Sequence, residues 1–352
     1  MSESTAMSDP KPVIVPFMGL RPAPSATGPR VQRPGISELD PEALEAWFVD
    51  TVHAHDPGAD VDRQLAAQGT LLGAAIATGA LASGALVWWH PFSGQSALVL
   101  PFALAVLLDV AHLAAVLVLL REPARHLDTG GLERAVRSAS EAPGVVRTGL
   151  LMLRRNRVLR GILAVEVFWS IAMVVFESFQ PVRLAELVGG EVRAGAIMGP
   201  VAAAGWGVFA GGAALAGLLS PRLGVARTAM LARALNGVGA VVMGLVAGPA
   251  ALIAAYLVTY GLHGTAGPMH ATLLHREAVA GNRATVLSMN SMVAFAAFGL
   301  AAPALGVLAD AVSTQAAMVV AGGVSILGAV FYGPARRRER ESVRGMPVGE
   351  LA

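Results

Sequence analysis

Long stretches with few or no ionisable side chains constrain this chain more than any other feature. They lie at residues 64–89, 96–120, 161–176, 194–219, 234–262 and 284–309. A helix needs about 20 consecutive apolar residues to cross the hydrocarbon core of a bilayer. A helix also satisfies its own backbone hydrogen bonds where no water is present. The sequence therefore predicts an all-α polytopic membrane protein.

The composition excludes several other classes of protein. Hydrophobic residues make up 55% of the chain and charged residues only 14%, against about 25% charged in a soluble domain. A single soluble domain and a nucleic-acid binder are thus excluded. The chain has no cysteine, which excludes a disulfide scaffold and a thiolate metal site. We find no nucleophile motif, phosphate loop or recognised set of metal ligands, and expect no enzyme activity, metal or cofactor.

Eight transmembrane spans are predicted from the apolar stretches. The fifth and sixth meet at Gly248-Pro249, a turn signal within one long apolar run. The third carries two carboxylates, Glu166 and Glu177. The predicted spans are 64–89, 94–120, 160–179, 194–219, 228–247, 249–271, 284–307 and 313–333.

The distribution of basic residues predicts the orientation of these spans. Lysine and arginine concentrate in cytoplasmic segments of membrane proteins. If the N-terminus is cytoplasmic, 23 of the 26 Lys and Arg residues lie inside, two lie in outer loops, and Arg233 lies within a span. We therefore expect a multi-pass protein of the inner (plasma) membrane with both termini in the cytoplasm.

The segments outside the spans have distinct compositions. Residues 1–39 are rich in proline and predict a disordered tail. Asp40-Pro41-Glu42 provides the cap, the first-turn proline and the acid that begin a helix. The predicted organisation is an amphipathic cytoplasmic helix at 40–56, two transmembrane helices at 60–121, a basic cytoplasmic loop at 122–159 with arginines facing lipid phosphate, a six-helix bundle at 160–334 and a basic cytoplasmic tail at 335–352.

Four short motifs resemble the major facilitator superfamily. The stretch from Gly217 to Arg227, with Arg222 and Gly224, is similar to the second copy of that family's G-x-L-x-D-R-x-G-R loop, although Pro221 replaces the acid. The stretch 282–288 is similar to the entry of the family's eleventh helix. Arg121-Glu122-Pro123 and the basic loop after it resemble the end of the sixth helix and the central loop.

This resemblance implies a fold and a function. The eight spans would correspond to helices five to twelve of twelve, with a complete C-terminal six-helix half and a substrate cavity between the halves. The four N-terminal helices and the first copy of the loop are missing, so we expect a truncated protein or a misplaced start. The implied function is secondary transport of an unknown small molecule, similar to drug efflux or antiport coupled to protons.

An alternative is a non-transporting membrane fragment or scaffold without independent flux. The expected partners are the lipid bilayer, the small molecule, protons, and a second copy or another protein that supplies the missing helices. No nucleic-acid partner is expected.

Ionisable residues within the spans are the first candidates for function, because each costs about 2.5–3.5 kcal/mol at the bilayer centre on insertion scales. Asp109 and His112 lie three positions apart on one helical face. They form either a pair that binds a proton or cation, or an inward pair that fixes helix packing. Arg233 either extends to the inner interface or pairs with a buried acid.

The third span could line a cavity for cationic amphiphiles. Glu166 and Glu177 are eleven positions apart, which brings them to about the same face of a regular α-helix. Trp169, Met173 and Phe176 would add aromatic faces and an adaptable thioether between the two carboxylates. Alternatively, Glu177 is solvated at the outer end, Glu166 pairs with an arginine, and the apolar residues only pack.

The sixth span carries a polar aromatic stripe formed by Tyr256, Tyr260 and His263, which His270 continues. Glycines and a proline interrupt this span, as in the broken helices near transporter binding sites. Asn290 in the seventh span is a similar polar candidate. These residues either contact a ligand or make packing hydrogen bonds.

Overall fold

The computed structural model describes residues 62–92, 94–119, 149–278 and 283–345, with isolated positions at 52, 140, 144 and 147. Over these ranges the chain is helical and contains no strand, which confirms the all-α prediction. The predicted tail 1–39, nearly all of the predicted helix 40–56 and most of residues 122–148 in the predicted loop 122–159 lie outside the described residues. So do Arg121-Glu122-Pro123 and the side chains at 279–284.

The described residues form ten α-helices, one π-helix and one 3₁₀-helix whose first and last residues are given below. A further short segment, 149–155, is also helical. The elements are α1 (Asp62–Trp89), α2 (Val99–Leu119), α3 (Arg157–Val174), a π-helix (Val175–Phe179), α4 (Gln180–Val188), α5 (Glu191–Leu223), α6 (Val225–Leu245), α7 (Pro249–Glu277), α8 (Arg283–Ala311), α9 (Thr314–Gly328), a 3₁₀-helix (Ala329–Tyr332) and α10 (Gly333–Gly345).

Seven helical stretches of the described chain are long and apolar enough to cross a membrane: Leu71–Trp89, Val99–Val118, Arg157–Val188, Glu191–Leu223, Val225–Leu245, Thr285–Ala311 and Thr314–Ser342. The protein is therefore an all-α polytopic membrane protein. The predicted sixth span forms α7 but is absent from this set. Its tyrosine, histidine and glycine residues make α7 more polar than its neighbours. It nevertheless packs lengthwise between α5 and α6.

The third span is longer than predicted at both ends. It begins at Arg157, because the Asn156 side chain accepts hydrogen bonds from the backbone N–H groups of Val158 (3.0 Å) and Leu159 (3.1 Å). The chain then continues through the π-helix into α4. It ends at Gly189, whose φ of +77° is a left-handed conformation suited to glycine.

Helices α3 and α5 to α9 form one bundle around two apolar cores. Within this bundle, the most extensive contacts join α5 to α7, α6 to α9, α6 to α7, and α3 to α8 and α9. Helix α1 packs on α5, where Gly84 and Gly199 bring the two backbones together. Helix α2 packs mainly on α1, and its apolar surface is otherwise exposed.

The predicted loop motif between the fourth and fifth spans is a sharp turn at one residue. Gly224, with φ +85°, joins α5 directly to α6. Gly217, Arg222 and Arg227 are exposed. A carboxylate does lie at this turn, but it comes from α10, within the predicted tail 335–352. Glu339 accepts a hydrogen bond from the Ala226 N–H at 3.0 Å.

Helix α10 is also held to the end of α7 by ion pairs. Glu339 pairs with Arg276 at 2.6 Å, and Arg338 pairs with Glu277 at 2.6 Å. Glu277 in turn accepts a hydrogen bond from the Asn156 side chain at 2.6 Å. The described part of the basic tail is thus a helix that connects the starts of α3 and α6 with the end of α7.

Candidate functional site

Glu166 and His270 form a buried acid–base pair inside the bundle. Glu166 lies on α3 and His270 on α7, and the Glu166 Oε2 atom is 3.3 Å from the His270 Nε2 atom. The side chains are only 11% and 7% exposed. An ionisable pair in such a position is costly to bury, which marks it as a candidate functional site.

The partners of His270 define how its ring can carry protons. Nε2 also lies 3.2 Å from the Asn290 Oδ1 atom on α8, and Nδ1 lies 2.8 Å from the Tyr332 hydroxyl. Nε2 therefore faces two acceptors and carries a proton. In the neutral ring, Nδ1 accepts a hydrogen bond from Tyr332. A second proton on Nδ1 would make Tyr332 the acceptor, so the ring can change charge without losing a partner.

Arg233 is a second buried charge close to this pair. It is 4% exposed, and its guanidinium carbon lies 4.0 Å from the centre of the Trp169 ring. Its Nη1 atom lies 3.4 Å from the His263 Nδ1 atom. Since a guanidinium only donates, Nδ1 of His263 is the acceptor. Arg233 thus faces the interior of the bundle. Of the two alternatives considered for it, this excludes the first, in which the side chain extends to the membrane interface.

Seven rings from α3, α5, α7 and the π-helix continue from Arg233 as an aromatic cluster. Trp169 stacks on His263 with centroids 4.4 Å apart, and Tyr256 stacks on Tyr260 at 5.2 Å. Phe176 contacts both tyrosines at 6.3 Å. The members of the cluster are Trp169, Phe176, Trp206, Phe209, Tyr256, Tyr260 and His263.

Two buried polar atoms beside the cluster have no hydrogen-bond partner among the described residues. They are the Nε atom of Arg233 and the Oδ1 atom of Asn236. The other end of the Asn236 amide donates to the Thr259 carbonyl oxygen at 2.8 Å. Buried polar groups are almost always paired, so these two atoms are available to a bound molecule or water.

The two carboxylates of the third span have different environments, contrary to the shared stripe predicted for them. Glu166 is buried, whereas Glu177 is exposed. The prediction assumed a regular α-helix, but Glu177 lies in the π-helix, whose wider turns change the angular position of each following residue. Glu177 still lies near the hydroxyls of Tyr256 and Tyr260, at the end of the aromatic cluster opposite Glu166.

Other predicted site residues fall outside this region. Asp109 and His112 are exposed on α2, and the structure does not bring them to the buried pair. In the described part of the chain they therefore do not face the interior of the bundle. The loop residues Gly217, Arg222, Gly224 and Arg227 lie at the junction of α5 and α6. In contrast, Glu166, Trp169, Arg233, Tyr256, Tyr260, His263 and Asn290 share the buried network.

Sequence reasoning missed three members of the network: Tyr332, Trp206 and Phe209. Trp206 and Phe209 could have been found, since they are three positions apart on one face of an apolar span. Tyr332 could not, because it lies at the end of the last span, where tyrosines commonly sit at the membrane interface. Only the packing of the 3₁₀-helix onto α3 and α6 buries it.

These contacts assemble proton-binding groups, one fixed cation and an aromatic surface in one buried site. No protein-family model matches the chain, and no curated protein matches its sequence.

Proposed function

We propose that this protein is a secondary transporter of the major facilitator type that couples movement of a small molecule to protons. The observation that carries the proposal is the buried Glu166–His270 pair, 3.3 Å apart within a bundle of apolar helices. A carboxylate and an imidazole are both groups that can bind and release protons. Such a pair in a membrane is typical of a proton relay.

The contacts between helices support a bundle built from two repeats. Helices α3, α5 and α6 form one triplet, and α7, α8 and α9 form the other. Helix α5 packs on α7 as α8 packs on α3, and α6 packs on α7 as α9 packs on α3. In each triplet, the first helix therefore packs on the second and third helices of the other triplet. This reciprocal packing is expected for the inverted three-helix repeats within each half of a major facilitator transporter.

Helix α7 also supports an even number of crossings. Although it is more polar than the others, it packs lengthwise on α5 and α6, and Tyr256, Thr259 and His270 are buried on it. Neighbouring helices therefore shield its polar groups from lipid. With α7 counted, the chain has eight spans, and an even number of spans places both termini on the same side of the membrane. We propose that this side is the cytoplasm and that the membrane is the inner (plasma) membrane.

The aromatic cluster is the proposed contact surface for the substrate. Flat rings can stack on an amphiphile, and the exposed Glu177 near Tyr256 and Tyr260 would attract a cationic one. Protonation of Glu166 would remove the negative charge that faces His270. Proton binding could thereby alter the packing of α3 against α7.

Transport can be tested in proteoliposomes with an acidic lumen and ethidium as the cationic amphiphile. We expect ethidium to accumulate until an ionophore dissipates the pH gradient. Glu166→Gln and His270→Asn should abolish accumulation, whereas the matched change Asp310→Asn, at an exposed acid on α8, should not. Unchanged accumulation in both site variants would refute the proton-site assignment.

A non-transporting scaffold is the second candidate, and α2 favours it. Asp109 and His112 lie exposed on this apolar helix, which is unfavourable in lipid unless another helix covers them. A stable complex with a second copy or partner protein, combined with no gradient-driven flux of cationic, neutral or anionic amphiphiles, would favour this function.

A further inference from the structure

A groove on the outer surface of the bundle lies where α3 begins and α10 follows the 3₁₀-helix. Its volume is about 1010 Å³. Residues from the segment 149–155, α3, α8, the 3₁₀-helix and α10 line it. It is separate from the aromatic cluster, because it uses Gly161, Ala164 and Val167 of α3, whereas Glu166 and Trp169 contact α6 and α7.

One end of the groove is strongly basic. Four arginines and one glutamate line it: Arg157, Arg160, Arg337, Arg338 and Glu341. Arg338 is already paired with Glu277, at 2.6 and 2.8 Å. The Arg160 guanidinium donates to the Arg154 carbonyl oxygen at 3.4 Å and makes no ion pair with any described residue. Arg157 and Arg337 are exposed and make no ion pair with any described residue.

The rest of the groove is apolar and extends along α3 from this basic end. From Arg157 to Val167 the helix rises about 15 Å, at 1.5 Å per residue. Val330 is 66% exposed along the wall, and Phe331 is held there by stacking on Phe168, with centroids 5.3 Å apart. The larger apolar side chains of the lining include Leu153, Leu163, Val167, Val293, Val330 and Phe331.

We propose that this groove is a binding site for an anionic phospholipid. The phosphate of the headgroup would bind Arg157, Arg160 and Arg337, since guanidinium groups bind phosphate oxygens through paired hydrogen bonds. One acyl chain would lie along Val167, Val293 and Val330. The basic end is at the ends of two apolar spans, the level at which lipid headgroups lie. A soluble phosphate would use the arginines but leave the apolar wall exposed.

Binding can be measured by native mass spectrometry of the full chain in detergent, titrated with phosphatidylglycerol or phosphatidylcholine of the same acyl chains. We expect phosphatidylglycerol to bind at least about tenfold more tightly, since each arginine near an anionic headgroup adds attraction. The triple variant Arg157→Gln, Arg160→Gln, Arg337→Gln should lose this preference. The triple control Arg222→Gln, Arg227→Gln, Arg340→Gln removes the same charge from exposed positions outside the groove and should keep it.

A second variant tests the apolar wall without changing any charge. Val330→Trp places a large ring in the groove at an exposed position, where folding should tolerate it, and should lower the occupancy of both lipids. Equal affinity for the two lipids in the wild type would overturn the proposal. An equal loss of the preference for phosphatidylglycerol in the control triple would also overturn it, because it would indicate diffuse surface charge. Efficient competition by glycerol phosphate would overturn it as well, because it would indicate a site for soluble phosphate.

Discussion

The His270 imidazole lies 3.3 Å from the Glu166 carboxylate, and its other ring nitrogen lies 2.8 Å from the Tyr332 hydroxyl. These contacts connect α3, α7 and the end of the last span through one ring. A change at Glu166 therefore acts on three elements of the bundle at once.

Replacing Glu166 with a polar or an apolar neutral residue should separate its hydrogen bonding from its packing. Glu166→Gln keeps the volume and an acceptor for His270, so we expect the thermal unfolding temperature to change little. Glu166→Leu also removes the charge but leaves no acceptor for the His270 Nε2–H group, and we expect it to lose about 1–3 kcal/mol of stability. Tryptophan fluorescence during heating in detergent measures both. Equal stability of the two variants would show that an acceptor at position 166 does not stabilise the bundle.

The contact of Arg233 with Trp169 should contribute to stability through the face of the indole ring. Trp169→Leu removes the ring over which the guanidinium lies and should cost about 2 kcal/mol or more, because this site is desolvated. Trp169→Phe retains an aromatic face and should lose less. Circular dichroism at 222 nm during heating measures this order, and a reversed order would exclude a stabilising cation–π contact.

Gly212 should tolerate no side chain, because α5 and α7 approach each other closely there. A Cβ atom at this position would overlap the carbonyl oxygen of Gly261. We expect Gly212→Ala to destabilise the protein by about 1–3 kcal/mol, the usual cost of overpacking. The matched control is Gly211→Ala, since a Cβ there meets open space. Both are compared by the midpoint of thermal unfolding, and similar midpoints would contradict the helix contact.

Glu339 should stabilise the start of α6 from a distant part of the chain. Its carboxylate accepts from the Ala226 N–H and pairs with Arg276. Glu339→Ala removes this cap and should cost about 0.5–2 kcal/mol. Glu341→Ala removes an exposed acid from the same helix and is the control. Faster proteolysis at the junction of α5 and α6 in the first variant alone would confirm the role, and equal rates would contradict it.

The sequence predicted most helices closely, but the third span shows where periodicity fails. Its start shifts from residue 160 to Arg157 because Asn156 caps the helix. Its end shifts from residue 179 to Val188 because a π-helix continues the backbone without a break. Hydropathy detects neither feature, since both depend on local hydrogen bonding.

The candidate site was predictable only residue by residue. Glu166, Trp169, Arg233, Tyr256, Tyr260 and His263 were identified because polar and aromatic groups are exceptional in apolar helices. Asp109 and His112 met the same criterion, yet they lie on an exposed helix. Spacing within one helix cannot show which face another helix will cover.

The sequence by itself determined that the chain crosses a membrane, because only helices can bury such long apolar stretches without leaving backbone groups unpaired. The tertiary structure alone decided which partners its buried charges have. It joined Glu166 to His270 and Arg233 to Trp169, and it supplied Glu339 where the loop motif has Pro221. These pairs connect different helices, and no pattern along one helix specifies contacts that arise only when helices pack.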